Sequence, residues 1–228
     1  MNNYKFLCLF IGSICFFKTL AVSQTDSMPI KKFTFGVTGG YIQGAYKIKN
    51  ANWDANGLAD TLSGISNKSN GFSVALQLNY FINSRLTLRT QAEILFDEIK
   101  FTFFRKDGNS KIHSIQNAYL GIPIDLVYAF PKVKSQPSVL LGIRYMKDIQ
   151  SGLRLRPFAR YMSLFSNDLG FEVGGNLAIK RRNFILRPEI SYYFSPFNIL
   201  KFENLYMPFK AIRSINRNFI DFKVSVLR

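Results

Sequence analysis

An all-β fold is what this 228-residue sequence predicts: an eight-stranded, antiparallel, up-and-down transmembrane β-barrel behind a cleavable signal peptide. Three observations carry that reading. Bulky apolar residues alternate with small, polar or charged ones along eight segments, which is the side-chain period of a strand. The connections between those segments alternate between long and tight, the asymmetry of an outer-membrane barrel. Both cysteines, Cys8 and Cys15, fall in an apolar N-terminal leader.

That leader has the zones of a secretory signal: Lys5 as basic flank, Phe6–Phe17 as apolar stretch, and small residues in Ala21-Val22-Ser23. Cleavage is expected before Gln24, giving a signal peptide over 1–23, a linker over 24–32 and a barrel over 33–228. An anchoring helix is excluded, because about 12 apolar residues interrupted by Lys18 fall short of the ~20 that span a bilayer. Ile14 before Cys15 excludes a lipoprotein site, which needs a small residue there. The mature chain then lacks cysteine, so neither disulfides nor thiolate metal sites hold it.

Of the 30 Lys and Arg, Lys5 and Lys18 leave with the leader, so 28 remain against 14 Asp and Glu, a net charge of +14. An exported chain of that charge faces an anionic membrane surface and not nucleic acid. The 23 Phe and 11 Tyr suit a lipid-facing wall with interfacial girdles.

The first strand is expected over 33–46, with Phe33, Phe35, Val37 and Tyr41 opposite Thr34, Gly36, Thr38 and Gly40. The second, 72–81, sets Phe72, Val74, Leu76, Leu78 and Tyr80 against Ser73, Ala75, Gln77 and Asn79. Asn83-Ser84 turns into the third, 85–104, where Leu86, Leu88 and Ala92 oppose Thr87, Arg89, Gln91 and Glu93. Its phase slips near Leu95-Phe96, which predicts a bulge before Ile99, Phe101 and Phe103. A polar turn at 105–111, containing Asp107-Gly108-Asn109, leads to the fourth strand, 112–130. Pro123 in it predicts a bulge or a locally open pairing, since proline has no N–H for the ladder. The fifth to eighth strands are placed at 138–146, 169–180, 184–194 and 219–227. Long loops are left over 47–71, 147–168 and 195–218.

A soluble barrel such as a lipocalin would show the same periodicity with its faces exchanged. The inventory separates the two. Arg89, Glu93, Asp125, Arg144, Glu172, Arg187, Glu189, Asp221 and Lys223 fall on the polar faces, a near-balanced set of acids and bases among small and amide residues. Such a set fits a narrow interior closed by ion pairs. The uniformly bulky rows would overfill an eight-stranded interior and belong outside, in lipid.

Little in the sequence carries chemistry. His113 is the sole histidine, and no phosphate loop, metal cluster or paired-carboxylate motif accompanies it; no cofactor is expected. His113-Ser114 is a candidate pair for an outer-leaflet lipid-modifying enzyme, against the ordinary reading of a polar strand residue. The interior charges read either as an ion path, making a small-solute pore, or as a structural network.

The long-loop side is basic: Lys47, Lys49, Lys68, Arg105, Lys106, Lys111, Lys147, Arg154, Arg156, Arg160, Lys201, Lys210 and Arg213 stand against Asp54, Asp60, Asp107, Asp148 and Glu203. Arg154, Arg156, Arg160, Lys210 and Arg213 are the candidate contacts to anionic lipid, since ammonium and guanidinium groups bond lipopolysaccharide phosphates; a solvated rim is the plain alternative. The segment 197–209 is too apolar for an idle loop and is expected to cap the barrel, lie on the membrane or dock a partner.

Several strands resemble the PorT-like outer-membrane β-barrel family. Phe35-Gly36-Val37-Thr38-Gly39-Gly40-Tyr41 resembles its glycine-rich first strand, and residues 119–128, YLGIPIDLVY, are similar to its "YLEIPLLLKY" strand with Gly121 where Glu is common. Residues 168–175 and 187–192 resemble its paired later strands. The likeness spans most of 33–227 and its motifs are structural. It implies a barrel in the cell outer membrane; the even strand count returns both ends to one side, expected to be the periplasm, and the absence of chemical motifs makes a non-enzymatic barrel the expectation. The likeness further implies an accessory role in type IX secretion or gliding machinery, with other envelope or secretion-complex proteins as partners. It carries over no catalytic residue.

Overall fold

A computed structural model describes residues 32–51, 62–131, 135–149, 163–164, 166–181, 183–201, 210 and 212–228. The expected signal peptide and the linker up to residue 31 lie outside the described residues. Twelve strands follow one another: β1 (Phe33–Gly44), β2 (Lys47–Asn50), β3 (Leu62–Phe81), β4 (Leu86–Arg105), β5 (Ser110–Ala129), β6 (Gln136–Asp148), β7 (Ser163–Leu164), β8 (Asn167–Lys180), β9 (Ile185–Phe194), β10 (Leu200–Lys201), β11 (Ile212–Asn216) and β12 (Asn218–Leu227).

Eight of them close into an antiparallel barrel in the order β1-β12-β9-β8-β6-β5-β4-β3. Each pairs with its neighbours along the chain, and β1 meets β12 over Gly36↔Leu227 to Gly44↔Phe219, so the sheet has no free edge. The other four form two small ladders, β2 with β11 and β7 with β10.

The sense of the alternation is that of a barrel in lipid. Phe35, Leu76 and Leu141 are 65%, 68% and 64% exposed, whereas Arg89, Glu93, Arg144, Glu172 and Asp221 are fully buried. In water this arrangement would be inside out. In hydrocarbon it is favoured, because the strand ladders close around the ring and the wall below the border is predominantly apolar on its outer face.

Three strands are longer than a crossing requires. β3, β4 and β5 have 20 residues each, and about 9–11 tilted residues cross a bilayer. Their surplus projects at the long-loop end. The border lies at the paired row Phe72↔Phe96↔Ala118, where the Phe72 and Phe96 rings stack 5.0 Å apart. Beyond it the outward positions turn polar: Asn70, Lys68 and Ser66 on β3, Glu98, Lys100 and Thr102 on β4.

This border explains two departures from the sequence reading. Residues 62–71, assigned to a loop, are the first half of β3, paired with β4 in unbroken register from Gly64↔Phe104 onward. Their stretch Ser-Gly-Ile-Ser-Asn-Lys-Ser-Asn-Gly has no apolar row, because water and not lipid lies outside them. The bulge expected at Leu95-Phe96 is absent. Leu95, Ile99, Phe101 and Phe103 continue the inward face of Arg89 and Glu93, and the face changes chemistry without changing phase.

The other barrel strands agree with expectation to within a few residues at their ends, whereas β2, β7, β10 and β11 lie in stretches expected as loops and pair only with one another. Pairing of β4 with β5 lapses between Thr90↔Ile124 and Glu93↔Gly121 with no register shift, the open pairing that Pro123 imposes, and Thr90 Oγ1 donates to the Pro123 carbonyl at 3.1 Å. The β4–β5 turn closes through Arg105 N–H to the Asn109 carbonyl, with Gly108 at φ 82°, a left-handed conformation that suits glycine.

Candidate functional site

Strand register brings the buried charges together. Arg89 faces Asp125 across β4 and β5, donating from Nε to Oδ2 at 2.9 Å, and reaches across the lumen to Glu189 with both terminal nitrogens, Nη2 meeting Oε1 at 3.0 Å. Arg144 grips Glu172 with two parallel bonds of 2.9 Å and lies 3.3 Å from both Asp221 and Glu93. Lys223 completes the group, 3.0 Å from Asp221, 3.5 Å from Glu172 and 3.7 Å from Glu93. Ser191 donates to Glu172 at 2.6 Å. Pairing at such distances offsets the desolvation of charges that water does not reach.

Two glycines make room for this layer. A Cβ at Gly142 would collide with the Asp125 carboxylate and the Ile124 carbonyl. Gly121 lies opposite Glu93, whose carboxylate fills the space that a side chain there would take. Of the nine interior residues read from the sequence, eight join these ion pairs. Arg187 stands apart: it is buried beside Ser225, and its Nε and Nη1 have no hydrogen-bond partner.

Toward the tight-turn end neutral polar groups share the lumen with Arg187. Thr38 bonds Gln77 at 3.1 Å and Ser225 at 2.9 Å, Gln91 donates to Gln77 at 3.1 Å, and Gln77 donates to Asn79 at 2.9 Å.

Toward the loop end lies a second charged layer that the sequence reading missed. Arg217 donates to Asp168 at 3.1 Å and to the Tyr46 hydroxyl at 3.1 Å, and its guanidinium sits 4.2 Å from the centre of the Tyr119 ring. Tyr46 in turn donates to Asp97 at 2.8 Å, and Ser195 to Asp168 at 2.6 Å. Arg217 and Asp168 fell in expected loops, Asp97 lay beside the bulge expected at Leu95-Phe96, and Asp148, counted among the rim acids, is buried. A signal was present. Asp168 continues the phase of Gly170 and Glu172, and Arg217 that of Phe219 and Asp221.

Above this layer the interior becomes dry. Tyr46, Ile99, Phe101, Phe103, Ile115, Ile199, Leu200, Ile212 and Ile215 form one buried cluster, with Ile48 and Ile65 packed against it. Here β1 gives way to β2: Asn67 holds the Tyr46 backbone from both sides, accepting its N–H at 2.5 Å and donating to its carbonyl at 2.8 Å. The segment from Ser195 to Lys201 is tied down by Asn198, whose Oδ1 accepts from Leu200 and Ile215, and by Asn216, which donates to the Phe197 carbonyl at 2.8 Å. So the described part of the 197–209 stretch caps the mouth through Ile199 and Leu200; residues 202–209 lie outside the described residues.

His113 and Ser114 do not form a pair. They are consecutive strand residues, so they point to opposite faces. His113 lies edge-on to Phe103 with ring centres 5.7 Å apart, while Ser114 donates to Glu98 at 2.6 Å on the outer face. Partial burial, then the charge of Lys111, hold the imidazole below its usual pKa. Among the described residues no group of acids, histidines and cysteines is placed to hold a metal.

The rim outside this plug is cationic. Lys47, Lys49, Lys68, Lys100, Arg105, Lys106, Lys111, Lys147, Lys210 and Arg213 are all exposed. Among the described residues of that rim, Glu98 and Asp107 are the acids that accompany them, and Glu98 is bound to Lys100 at 3.1 Å. Arg154, Arg156 and Arg160 lie outside the described residues.

A closed ring of eight strands, apolar outside and charged within, has its counterpart in sequence. Residues 22–201 match the family model described as outer membrane protein beta-barrel domain. The chain belongs to that family. Its place is the outer membrane. Among solved structures it is similar to OprG of Pseudomonas aeruginosa, at 10% identity and TM-score 0.48 over 86% of this chain and 95% of that one. It is also similar to Neisserial surface protein A, at 13% and 0.44 over 85% and 95%, and to outer membrane protein W of E. coli, at 15% and 0.40 over 84% and 96%. No curated protein matches the chain.

Proposed function

We propose that this outer-membrane protein is a closed, non-enzymatic barrel serving as a structural or accessory component of a surface or secretion assembly. The observation that carries the reading is the filled interior. Two charged layers, a mainly neutral polar layer and an apolar dome follow one another along the axis, and among the described residues the buried apolar side chains Ile99, Phe101, Phe103 and Leu200 stand in place of a continuous polar path. A pore needs such a path. A lipid-modifying enzyme of the His113–Ser114 kind needs the two side chains on one face, and the strand separates them.

In this reading the signal peptide is removed before Gln24, both termini are periplasmic and the dome faces outward. The cationic rim holds lipopolysaccharide phosphates, and the rigid dome presents a surface to envelope or secretion partners. The likeness to the PorT-like strands favours the type IX system as that assembly.

Deleting the gene should impair export or surface display of type IX cargo. Unchanged cargo in the deletion strain would remove that role, leaving a barrel of another envelope function. Single-channel recording of the purified protein should show a silent bilayer; steady conductance would overturn the closed-barrel reading.

A further inference from the structure

Where the small β2–β11 ladder meets the top of the β9–β12 wall, a cleft of about 510 Å³ opens on the outer surface. Its upper side carries Lys47 and Lys49. Both lie on the exposed face of β2, because Ile48 between them packs inward against the dome. Asn216 and Asn218 form the back, placed there by the pairs Asn216↔Lys47 and Asn218↔Phe194. The floor is aromatic: Tyr192 and Phe194, exposed, with ring centres 6.1 Å apart. Phe194 also meets Phe171 at 5.5 Å, so the floor runs without a break into the lipid-facing wall.

Among the described residues the lining contains no carboxylate, and neither lysine makes an ion pair with a described residue. Two ammonium groups and two amides thus stand over an apolar ramp, at the level where an aromatic girdle marks the end of the hydrocarbon. A soluble anion has no use for the ramp, and an uncharged lipid has none for the lysines. One class of ligand uses both.

We infer that this cleft is a binding site for a phosphorylated outer-leaflet lipid. Its phosphate lies between Lys47 and Lys49, with Asn218 donating and Asn216, bound to the Phe197 carbonyl, holding the back of the cleft in place, and an acyl chain runs down over Tyr192 and Phe194. Charge-assisted bonds to phosphate provide the affinity, and the long-chain tail confines the ligand to the membrane border. The inference rests on the proposed orientation, in which the β2–β11 end faces outward.

The test uses the full-length protein in nanodiscs with a fluorescent bisphosphorylated lipid A as probe. The Lys47→Ala/Lys49→Ala variant should lose at least about tenfold in affinity. A Lys106→Ala/Lys111→Ala variant, altered in the general rim at the tip of the β4–β5 hairpin and not in the cleft, should keep most of the parent's affinity for the probe. Equal losses in both would reduce the site to a diffuse basic rim, and no loss in the first would remove it. Dephosphorylated lipid A should fail to compete with the probe, and millimolar inorganic phosphate should compete only weakly. Full displacement by inorganic phosphate would make this an anion site without a lipid ligand.

Heat-dependent gel mobility checks that each variant is folded. Orientation is tested separately. An Asn50→Cys variant should react with a membrane-impermeant maleimide on intact cells. If it does not, the outer-leaflet assignment falls even where binding in nanodiscs stands.

Discussion

The same strand obeys opposite rules in its two halves. Along β4, the turn-end half buries Thr87, Arg89, Gln91 and Glu93 and exposes Leu88 and Ile94; the loop-end half buries Ile99, Phe101 and Phe103 and turns Glu98, Lys100 and Thr102 outward. Backbone, register and side-chain phase are continuous through the change. What differs is the medium outside. Lipid takes the apolar face in one half and leaves polar groups to pair within; water takes the polar face in the other, and the apolar groups collect under β2, β10 and β11. Polarity therefore reports the solvent of each segment, and only the alternation reports the strand.

The largest expected effect is on the ion-pair half. Arg144→Ala removes one of the two cations shared by Glu93, Glu172 and Asp221 and leaves Lys223 alone to face three buried carboxylates. Removing one partner from a buried ion-pair group costs about 3–5 kcal/mol. Urea titration of the refolded barrel should show it, and an unshifted midpoint would mean that the layer is not electrostatically closed.

In the dome, Phe101→Ala should cost about 3–5 kcal/mol through the cavity it leaves. That loss should be local. Proteolysis should reach the β3–β4–β5 extension while the lipid-embedded ring stays intact, and simultaneous loss of both would deny that the two halves are distinct.

One residue type on two sides of the border sharpens the contrast further. Leu76→Arg places a charge on the lipid wall and should cost roughly 2–4 kcal/mol near the midplane. Thr102→Arg, outward but beyond Phe96, should change stability by under about 0.5 kcal/mol. Equal costs would put the border in the wrong place.

The smallest effect is a pH dependence of the dome. Burial lowers the His113 pKa, so the folded state binds its proton less readily than the unfolded one. Stability is then full above the ordinary histidine value of about 6.5 and declines as pH falls below it toward the folded value. Amide exchange at Phe101 and Phe103 should quicken with acidification over that range in the parent and not in His113→Gln. Identical profiles would remove His113 as the cause.

The lipid-embedded strands were legible because two demands coincide there: lipid outside and a narrow charged lumen inside enforce a strict period of two. Phe72–Tyr80 and Ala118–Tyr128 show it without a break, and Pro123 announced its own open pairing. Residues 62–71 were not legible, since water wets their outer face and the row of apolar residues disappears. Leu95 read as a slip because an apolar residue on the polar face is out of pattern until the dome is known. Arg217 and Asp168 hid at loop edges, and their partners, Tyr46 and Ser195, come from distant parts of the chain.

Alternation, loop asymmetry and the sorting of charges to one face belong to the sequence alone, because each is a local property of consecutive residues under the constraint of hydrocarbon on one side. The closing of β1 on β12, the layering of ion pairs, the dome and the cleft above Tyr192 and Phe194 are decided only in three dimensions. They join residues as far apart as Arg89 and Glu189, or Tyr46 and Arg217, whose proximity depends on how the ring closes and where the membrane ends.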